Sequence, residues 1–272
     1  MTMNFIKLTF ELKENSSLNN EKKEDLIDGL IIDDYLRALY NNNQIHRDYS
    51  IIKKDNVYSA FVTLIDKDSF DEKYDSIYVK EYKGKLNAKC NIKIESLGTD
   101  AFWEENCECK NISGYMLFSS QFHIGTPIVC IDCFRGVPSY RFPHMPQQEE
   151  YFHEVSWERA YNMVEGVWFQ SFADRWAERQ MVNPKSALSK IGRDICSEYE
   201  KSVGKPFYYY LFDADFNNKY KLYEKCPECG EKWRELERTL ESSVRLSSNT
   251  QKLYLCDKCR LVSQQYWTDD NK

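Results

Sequence analysis

No run of about 18 apolar residues occurs in the chain's 272 residues, so the sequence offers no membrane-spanning helix. Its N-terminus, MTMNFIKLTFELKE, lacks the charged, apolar and cleavage regions of a signal peptide. Histidine is scarce: only His46, His123, His144 and His153 are present, and none belongs to an HExxH pair. There is no GxSxG nucleophile elbow, no glycine-rich phosphate cradle and no HxE followed by PCxxC of the deaminase kind. Asp213 with Asp215, and Glu104 with Glu105, are acidic pairs that could bind a cation, although solvated loop carboxylates look the same. An excess of positive charge is missing as well. The formal charge is −6, the wrong global sign for a chain that would draw affinity from displacing phosphate counterions. These absences lead us to expect a cytoplasmic protein that is not an enzyme and does not enter membranes.

What is abundant is aromatic residues and cysteine. Nineteen Tyr, 15 Phe and 6 Trp give ample means to build a core, and ten Cys in a reducing compartment point to metal sites and packed thiols before disulfides. The C-terminal part reads CPECGEKW and, after a gap, CDKCR. Each CxxC bends the backbone so that two thiolates aim at one point, and the separation of Cys229 from Cys256 allows a strand, a loop and a returning strand. Cys226, Cys229, Cys256 and Cys259 therefore form a candidate zinc ribbon, four sulfurs about 2.3 Å from a Zn²⁺. Two disulfides, a redox pair or unrelated thiols are the competing readings. A four-thiolate site leaves no coordination position for water, so such a metal holds structure and activates nothing.

A second group lies upstream. Cys107 and Cys109 form a CxC, and Cys130 and Cys133 a CxxC at the end of the strand-like PIVC. They could make a second Zn²⁺ site, with His123 and His144 as reserve ligands, or they could be buried thiols like Cys90 and Cys196.

Periodicity sets the expected organisation. FIKLTFE (5–11), VYSAFVTLI (57–65) and NIKIESL (91–97) read as strands. LIDGLIIDDYLRALY reads as a helix capped near Asn19 or Asn20, with Leu26, Ile27, Leu30, Ile31, Tyr35 and Leu39 on one face. Residues 68–85 are charged, tyrosine-rich and compatible with a helix. The expected fold class is α+β: a βαβαβ-type unit over 1–100, a short-stranded cysteine-containing segment over 101–148, two helices and a strand over 149–222, and the ribbon over 223–272. Trp157, Tyr161, Val164, Trp168 and Phe172, continued by Trp176, form a helical stripe expected in the core. Leu188, Ile191, Ile195 and Tyr199 form the second such face, in a helix bounded by Asn183-Pro184 and by Gly204 and Pro206. FYYYLF (207–212) follows as a strand.

The order IVCIDCFRGVPSYRFP, SALSKIGRDICSEYEKSVGKPFYYYLF, CPECGEKW and CDKCRLVSQQYW resembles a proteobacterial family described as zinc-ribbon proteins of unknown function with a suggested nucleic-acid-binding role. The resemblance covers roughly Pro127 to Trp267 and implies a ribbon held by Cys226, Cys229, Cys256 and Cys259. The charge of the ribbon weighs on that suggested role. Lys225, Lys232, Arg234, Arg238, Arg245, Lys252, Lys258 and Arg260 oppose Glu228, Glu231, Glu235, Glu237, Glu241 and Asp257, and a thiolate–zinc centre nearly cancels the difference. Trp233, Tyr254, Tyr266 and Trp267 could stack on bases, but a ribbon this small needs such rings for its own packing. The expectation is accordingly a zinc-ribbon protein that binds another protein, with a basic partner such as a bacterial toxin that it neutralises as an immunity or antitoxin protein. Nucleic-acid binding through local basic residues is the alternative.

Overall fold

The computed structural model describes residues 4–13, 30–55, 57–99, 105–123, 125–212, 225–236 and 252–265. The chain divides into two compact units, one made of Met1–Glu105 with Pro138–Phe152, the other of Asn106–Val137 with His153–Lys272. The fold is mixed α and β, with a separate sheet in each unit.

In the first unit β1 (Phe5–Leu12) alternates strictly, burying Ile6, Leu8 and Phe10. These stand opposite Val62, Ala60 and Tyr58 of β3 (Val57–Thr63), so the two strands bury one shared face. Helix α1 (Leu30–Asn41) supplies Ile32, Tyr35, Leu36 and Leu39 to the core. That face is rotated from the expected one, since Leu30 is exposed; Leu26, Ile27 and the expected cap lie outside the described residues. A further strand, β2 (Ser50–Lys54), pairs antiparallel with β3, Lys54 opposite Val57, and Asp55 after it takes φ 54°. Residues 72–74 form a 3₁₀ turn, and α2 (Ile77–Lys89) begins at Ser76, whose Oγ accepts the Val79 N–H. β4 (Cys90–Gly98) closes the sheet on the far side of β1.

The order β2-β3-β1-β4, antiparallel throughout, with helices after β1 and β3, is the ferredoxin-like split βαβ arrangement. The expected βαβαβ order is thus corrected to βαββαβ. Residues 138–152 are fastened to this unit by polar contacts. Arg141 pairs with Asp66 at 2.7 Å and Asp68 at 2.9 Å, and the Tyr140 hydroxyl donates to Asp68. Burial alone would raise the Asp68 carboxyl, but Tyr140 and Arg141 hold it below the ordinary range.

The second unit is built on a mixed sheet of order β6-β5-β7-β10-β9-β8. Its strands are β5 (Tyr115–Leu117), β6 (Ile128–Cys130), β7 (Phe207–Leu211), β8 (Arg234–Glu235), β9 (Lys252–Cys256) and β10 (Leu261–Gln265). The middle three strands, β5, β7 and β10, run parallel, and antiparallel pairs flank them on both sides. All five β7 residues are buried, as suits a central strand covered on both faces.

Three helices precede β7: α3 (Phe152–Phe169), α4 (Asp174–Val182) and α5 (Ala187–Val203). α5 is capped by Ser186, which accepts the Ser189 N–H, and closed by Gly204 at φ 70°. Gly192 is the point of closest approach, because a Cβ there would lie 2.3 Å from Tyr209 and 2.7 Å from Trp157. Two expected core faces are corrected. The stripe begun by Trp157 and Tyr161 ends when α3 stops at Phe169 and Ser171 turns to φ 52°, which leaves Phe172 89% and Trp176 53% exposed. Ile191 points outward, and the buried face of α5 is Leu188, Gly192, Ile195, Cys196 and Tyr199.

Candidate metal centres

Three turns in the second unit share one construction. In each, a CxxC reverses the chain, the residue after its second cysteine has positive φ, and the first cysteine faces the residue five positions on. At Cys226–Cys229 the left-handed residue is Gly230 (φ 72°), the Gly230 N–H bonds the Cys226 carbonyl at 2.9 Å and the Cys226 N–H bonds Glu231 O at 2.8 Å. At Cys130–Cys133 it is Phe134 (φ 58°), with the Phe134 N–H on Cys130 O at 2.8 Å and the Cys130 N–H on Arg135 O at 2.9 Å. At Cys256–Cys259 it is Arg260 (φ 52°), and Cys256 pairs with Leu261 as β9 hands over to β10. Only the first of these turns carries the glycine that makes it visible in sequence.

The turns at 226 and 256 face each other. The Sγ atoms of Cys226, Cys229, Cys256 and Cys259 all lie within 4.8 Å of one another, and Cys229 and Cys256 are 3.6 Å apart. A tetrahedron with 2.3 Å bonds has edges of about 3.8 Å, whereas a disulfide needs about 2.05 Å, so the spacing fits a shared ion and excludes a bond between these sulfurs. All ten cysteines are free thiols. Helix α5 grips both turns through pairs of opposite polarity. Arg193 reaches Glu228 of the first at 2.8 Å, and Glu200 receives the Arg260 guanidinium of the second at 2.8 and 2.9 Å. Asp257 is clasped by Arg234 at 2.8 Å through two nitrogens and takes a hydrogen bond from Tyr208, which together hold its carboxyl down to about 2.

The second cluster brings together Cys107, Cys109, Cys130 and Cys133, again within 4.8 Å. Here one half is a turn and the other an irregular arm. The arm is held by the Cys107 N–H on Gly136 O at 2.8 Å. A Cβ on Gly136 would lie 2.7 Å from Thr126 and 2.9 Å from Asn106, so only glycine lets the arm lie this close to the return from β6. Within the arm the Cys109 N–H points at the Cys107 sulfur at 3.4 Å, which lets a CxC converge across one residue. Asp132, inside the other turn, is fixed by the Ser113 N–H and hydroxyl at 2.6 and 2.5 Å.

Four thiols this close cannot all carry charge without a cation. Hydrogen bonds from Cys107 and Cys130 draw Cys133 far below the ordinary thiol range, while Cys107, Cys133 and burial push Cys130 up. In the other cluster the Glu231 backbone N–H and the neighbouring thiols lower Cys229, and burial followed by Cys229 raises Cys259. A dication at the centre reverses this balance and stabilises four thiolates together. Both donor sets fit a soft divalent ion, and among the described residues neither group includes a fifth ligand. His123 and His144 stand outside them: the His123 ring bonds Thr126 O at 3.1 Å, His144 packs on Tyr151, and burial lowers the pKa of each.

Of the cationic residues around the later cluster, Arg234, Lys258 and Arg260 are engaged by Asp257, Glu231 and Glu200. Arg238, Arg245, Tyr266 and Trp267, like the acidic pair at Asp213 and Asp215 and Glu104 of the other pair, lie outside the described residues. Trp233 and Tyr254 are half-buried.

Sequence reasoning missed a polar anchor on α3. Buried Glu165 accepts the Gln121 N–H at 2.5 Å and the Ser120 hydroxyl at 3.1 Å, while Gln121 Nε2 donates to Asn162 O at 2.9 Å. This clamp holds exposed Phe122 edge-on to Phe169 at 5.3 Å, three residues before Phe172 in the chain. Nothing in the local sequence marks Glu165 as different from a solvated glutamate. Glu158, two turns earlier, has its carboxyl raised to about 8 by burial and by the Glu154 charge.

Residues 109–212 match a family described as a domain of unknown function (DUF2310). Two Haemophilus influenzae proteins, each described only as uncharacterized, are each 23% identical to the chain. One aligns over 208 residues, 71% of this chain and 74% of its own length, and the other over 189 residues, 66% and 86%. Among solved structures, a conserved protein from Methanosarcina mazei Go1 aligns with 36% of this chain and 95% of its own at 14% identity and a TM-score of 0.27.

Proposed function

We propose that this chain is a non-enzymatic zinc protein that acts by binding another protein. Both four-thiolate groups are read as structural Zn²⁺ sites, the later one as a zinc ribbon, since each set is closed and offers no position for a reacting water. The observation that carries the binding role is the aromatic surface of the second unit. Phe122, Phe169, Phe172 and Trp176 stand exposed at the junction of α3 and α4, with Phe122 held in place by the Glu165 clamp. Fixed, exposed aromatic side chains are the residues that dominate protein interfaces and lose little entropy on docking.

The chain's charge of −6 favours a partner of net positive charge, because opposite potentials speed and orient encounter. Neutralisation of a basic toxin is the sharpest form of this reading. Nucleic acid is disfavoured, because Arg234, Lys258 and Arg260 already have acidic partners within the protein.

The test is capture of partners from the native host by the zinc-loaded chain, with and without nuclease, beside Phe172→Ser and Trp176→Ser variants. A stoichiometric basic protein that survives nuclease and is lost with either substitution supports the proposal. Nucleic acid that is retained by both variants and released by moderate salt defeats it.

A further inference from the structure

The first unit carries an open edge with a self-complementary pattern. Among the described residues β4 pairs with β1 on one side only, and the sheet ends there. The strand is nine residues long, CNIKIESLG, with no proline to blunt it. The Lys13 N–H bonds Lys89 O, which sets the phase of the ladder: Glu11, Thr9 and Lys7 turn their peptide groups toward Asn91, Lys93 and Glu95. By alternation Ile92 and Ile94 turn their N–H and C=O groups to the open side.

Their side chains lie on the face that elsewhere is core. Ile94 is in register with Leu8, which is fully buried, yet Ile94 itself is 60% exposed. On the opposite face Lys93 and Glu95 flank it, bonded back into their own sheet by Glu11 at 2.7 Å and Lys7 at 3.9 Å.

We propose that a second copy of this chain pairs with β4, antiparallel, about a two-fold axis beside Ile94. In that register Ile94 exchanges both backbone hydrogen bonds with Ile94 of the second copy, and the two apolar side chains cover each other. Lys93 stands opposite Glu95 of the second copy, and Glu95 opposite its Lys93. Each row across the joined sheets then reads Lys7, Glu95, Lys93 and Thr9, with charges alternating in sign and no like pair adjacent. A two-fold interface must be complementary to itself, and a Lys-Ile-Glu triplet centred on the axis meets that condition.

The experiment is the mass in solution of the full, metal-loaded chain by sedimentation equilibrium, with a charge exchange across the axis. The wild type is expected at twice 32.4 kDa. Lys93→Glu and Glu95→Lys each place two like pairs across the axis and should raise the dimer dissociation constant by roughly tenfold or more. The double variant restores opposite charges and should return to within about threefold of wild type. If Lys93 and Glu95 served only their own Lys7 and Glu11, the double variant would be worse than either single one. That result overturns the proposal, as does a wild-type mass of 32.4 kDa at every concentration tested. Ile94→Asp is a second measure: it faces two carboxylates at the axis and should leave a monomer whose thermal unfolding is little changed, because the side chain is already exposed. A dimer indifferent to Ile94→Asp also overturns it.

Discussion

The two cysteine clusters belong to the same sheet and are built differently. One joins two equivalent turns, at Cys226 and Cys256, and the second of these ends β9, which pairs with β10, the neighbour of central β7. The other joins a single turn at Cys130, on edge strand β6, to an irregular arm at Cys107. Symmetric construction makes the first cluster self-supporting: each turn is closed by its own hydrogen bonds before the two meet, and α5 clasps both. The second cluster borrows half its geometry from a contact with Gly136. The same four donors therefore rest on local rules in one place and on tertiary packing in the other.

That difference predicts unequal consequences. On the reading proposed above, in which each cluster holds one metal ion, Cys256→Ser should remove one of the two and uncouple β9 from β10, lowering the stability of the second unit by roughly 3 kcal/mol or more. Cys130→Ser should also remove one ion but leave β7 and β10 paired, because β6 is an edge strand. Metal content per chain, together with amide exchange in Tyr209–Leu211, checks both; equal exchange in the two variants would break the comparison.

Gly136→Ala is the next largest effect. The added methyl must displace Thr126 or Asn106, at a cost of about 1–3 kcal/mol, and should weaken retention of the proposed metal ion at Cys107, Cys109, Cys130 and Cys133 alone. Competition with a chelator, read as two release phases, should show the fast phase accelerated and the slow one unchanged.

These contrasts also explain what could be read in advance. Two CxxC pairs with Gly230 after the first contain their own turn chemistry, so spacing alone brought Cys226, Cys229, Cys256 and Cys259 together. Cys107 and Cys109 were legible only as an unusual CxC, because the glycine that admits them lies 27 positions after the nearer one. Strand β2 was missed since SIIKK offers two apolar residues and then two lysines, and its pairing with β3 is set by the turn at Asp55. The aromatic stripe misled beyond Trp168 for a related reason: helical spacing persists in the sequence through Trp176, but α3 ends at Phe169. Glu165 had no local signal at all, because its burial is created by Ser120 and Gln121 from a distant loop.

A smaller effect separates metal-dependent stability from the rest. Thiolate ligation tightens as pH rises, since protons no longer compete for sulfur. Glu158 acts with the opposite sign. Its folded pKa, about 8, lies above the ordinary 4.5, so its favourable contribution is complete below pH 4.5 and is lost progressively as pH rises through 8. Glu158→Gln should then stabilise the chain at pH 9 by roughly 1–3 kcal/mol, discounted for partial exposure, and have little effect at pH 4. Denaturant unfolding of holoprotein at the two pH values measures this, and an equal effect at both would remove Glu158 from the account.

The finest comparison concerns the three left-handed residues themselves. Phe134 and Arg260 hold a conformation that glycine adopts freely and that strains other residues by about 1–2 kcal/mol. Replacing either by glycine also discards a side chain, and at Arg260 the ion pair with Glu200, so the single substitution does not isolate the backbone. The informative quantity is the difference between glycine and alanine at the same position, in which the lost side chain cancels. That difference should favour glycine by about 1 kcal/mol at 134, at 230 and at 260 alike. Equal values would mean that the three turns are one structural device used three times. A value near zero at 134 alone would mean that the turn beside Cys107 relaxes without its ring, and that the edge cluster depends on its surroundings more than its φ angle indicates.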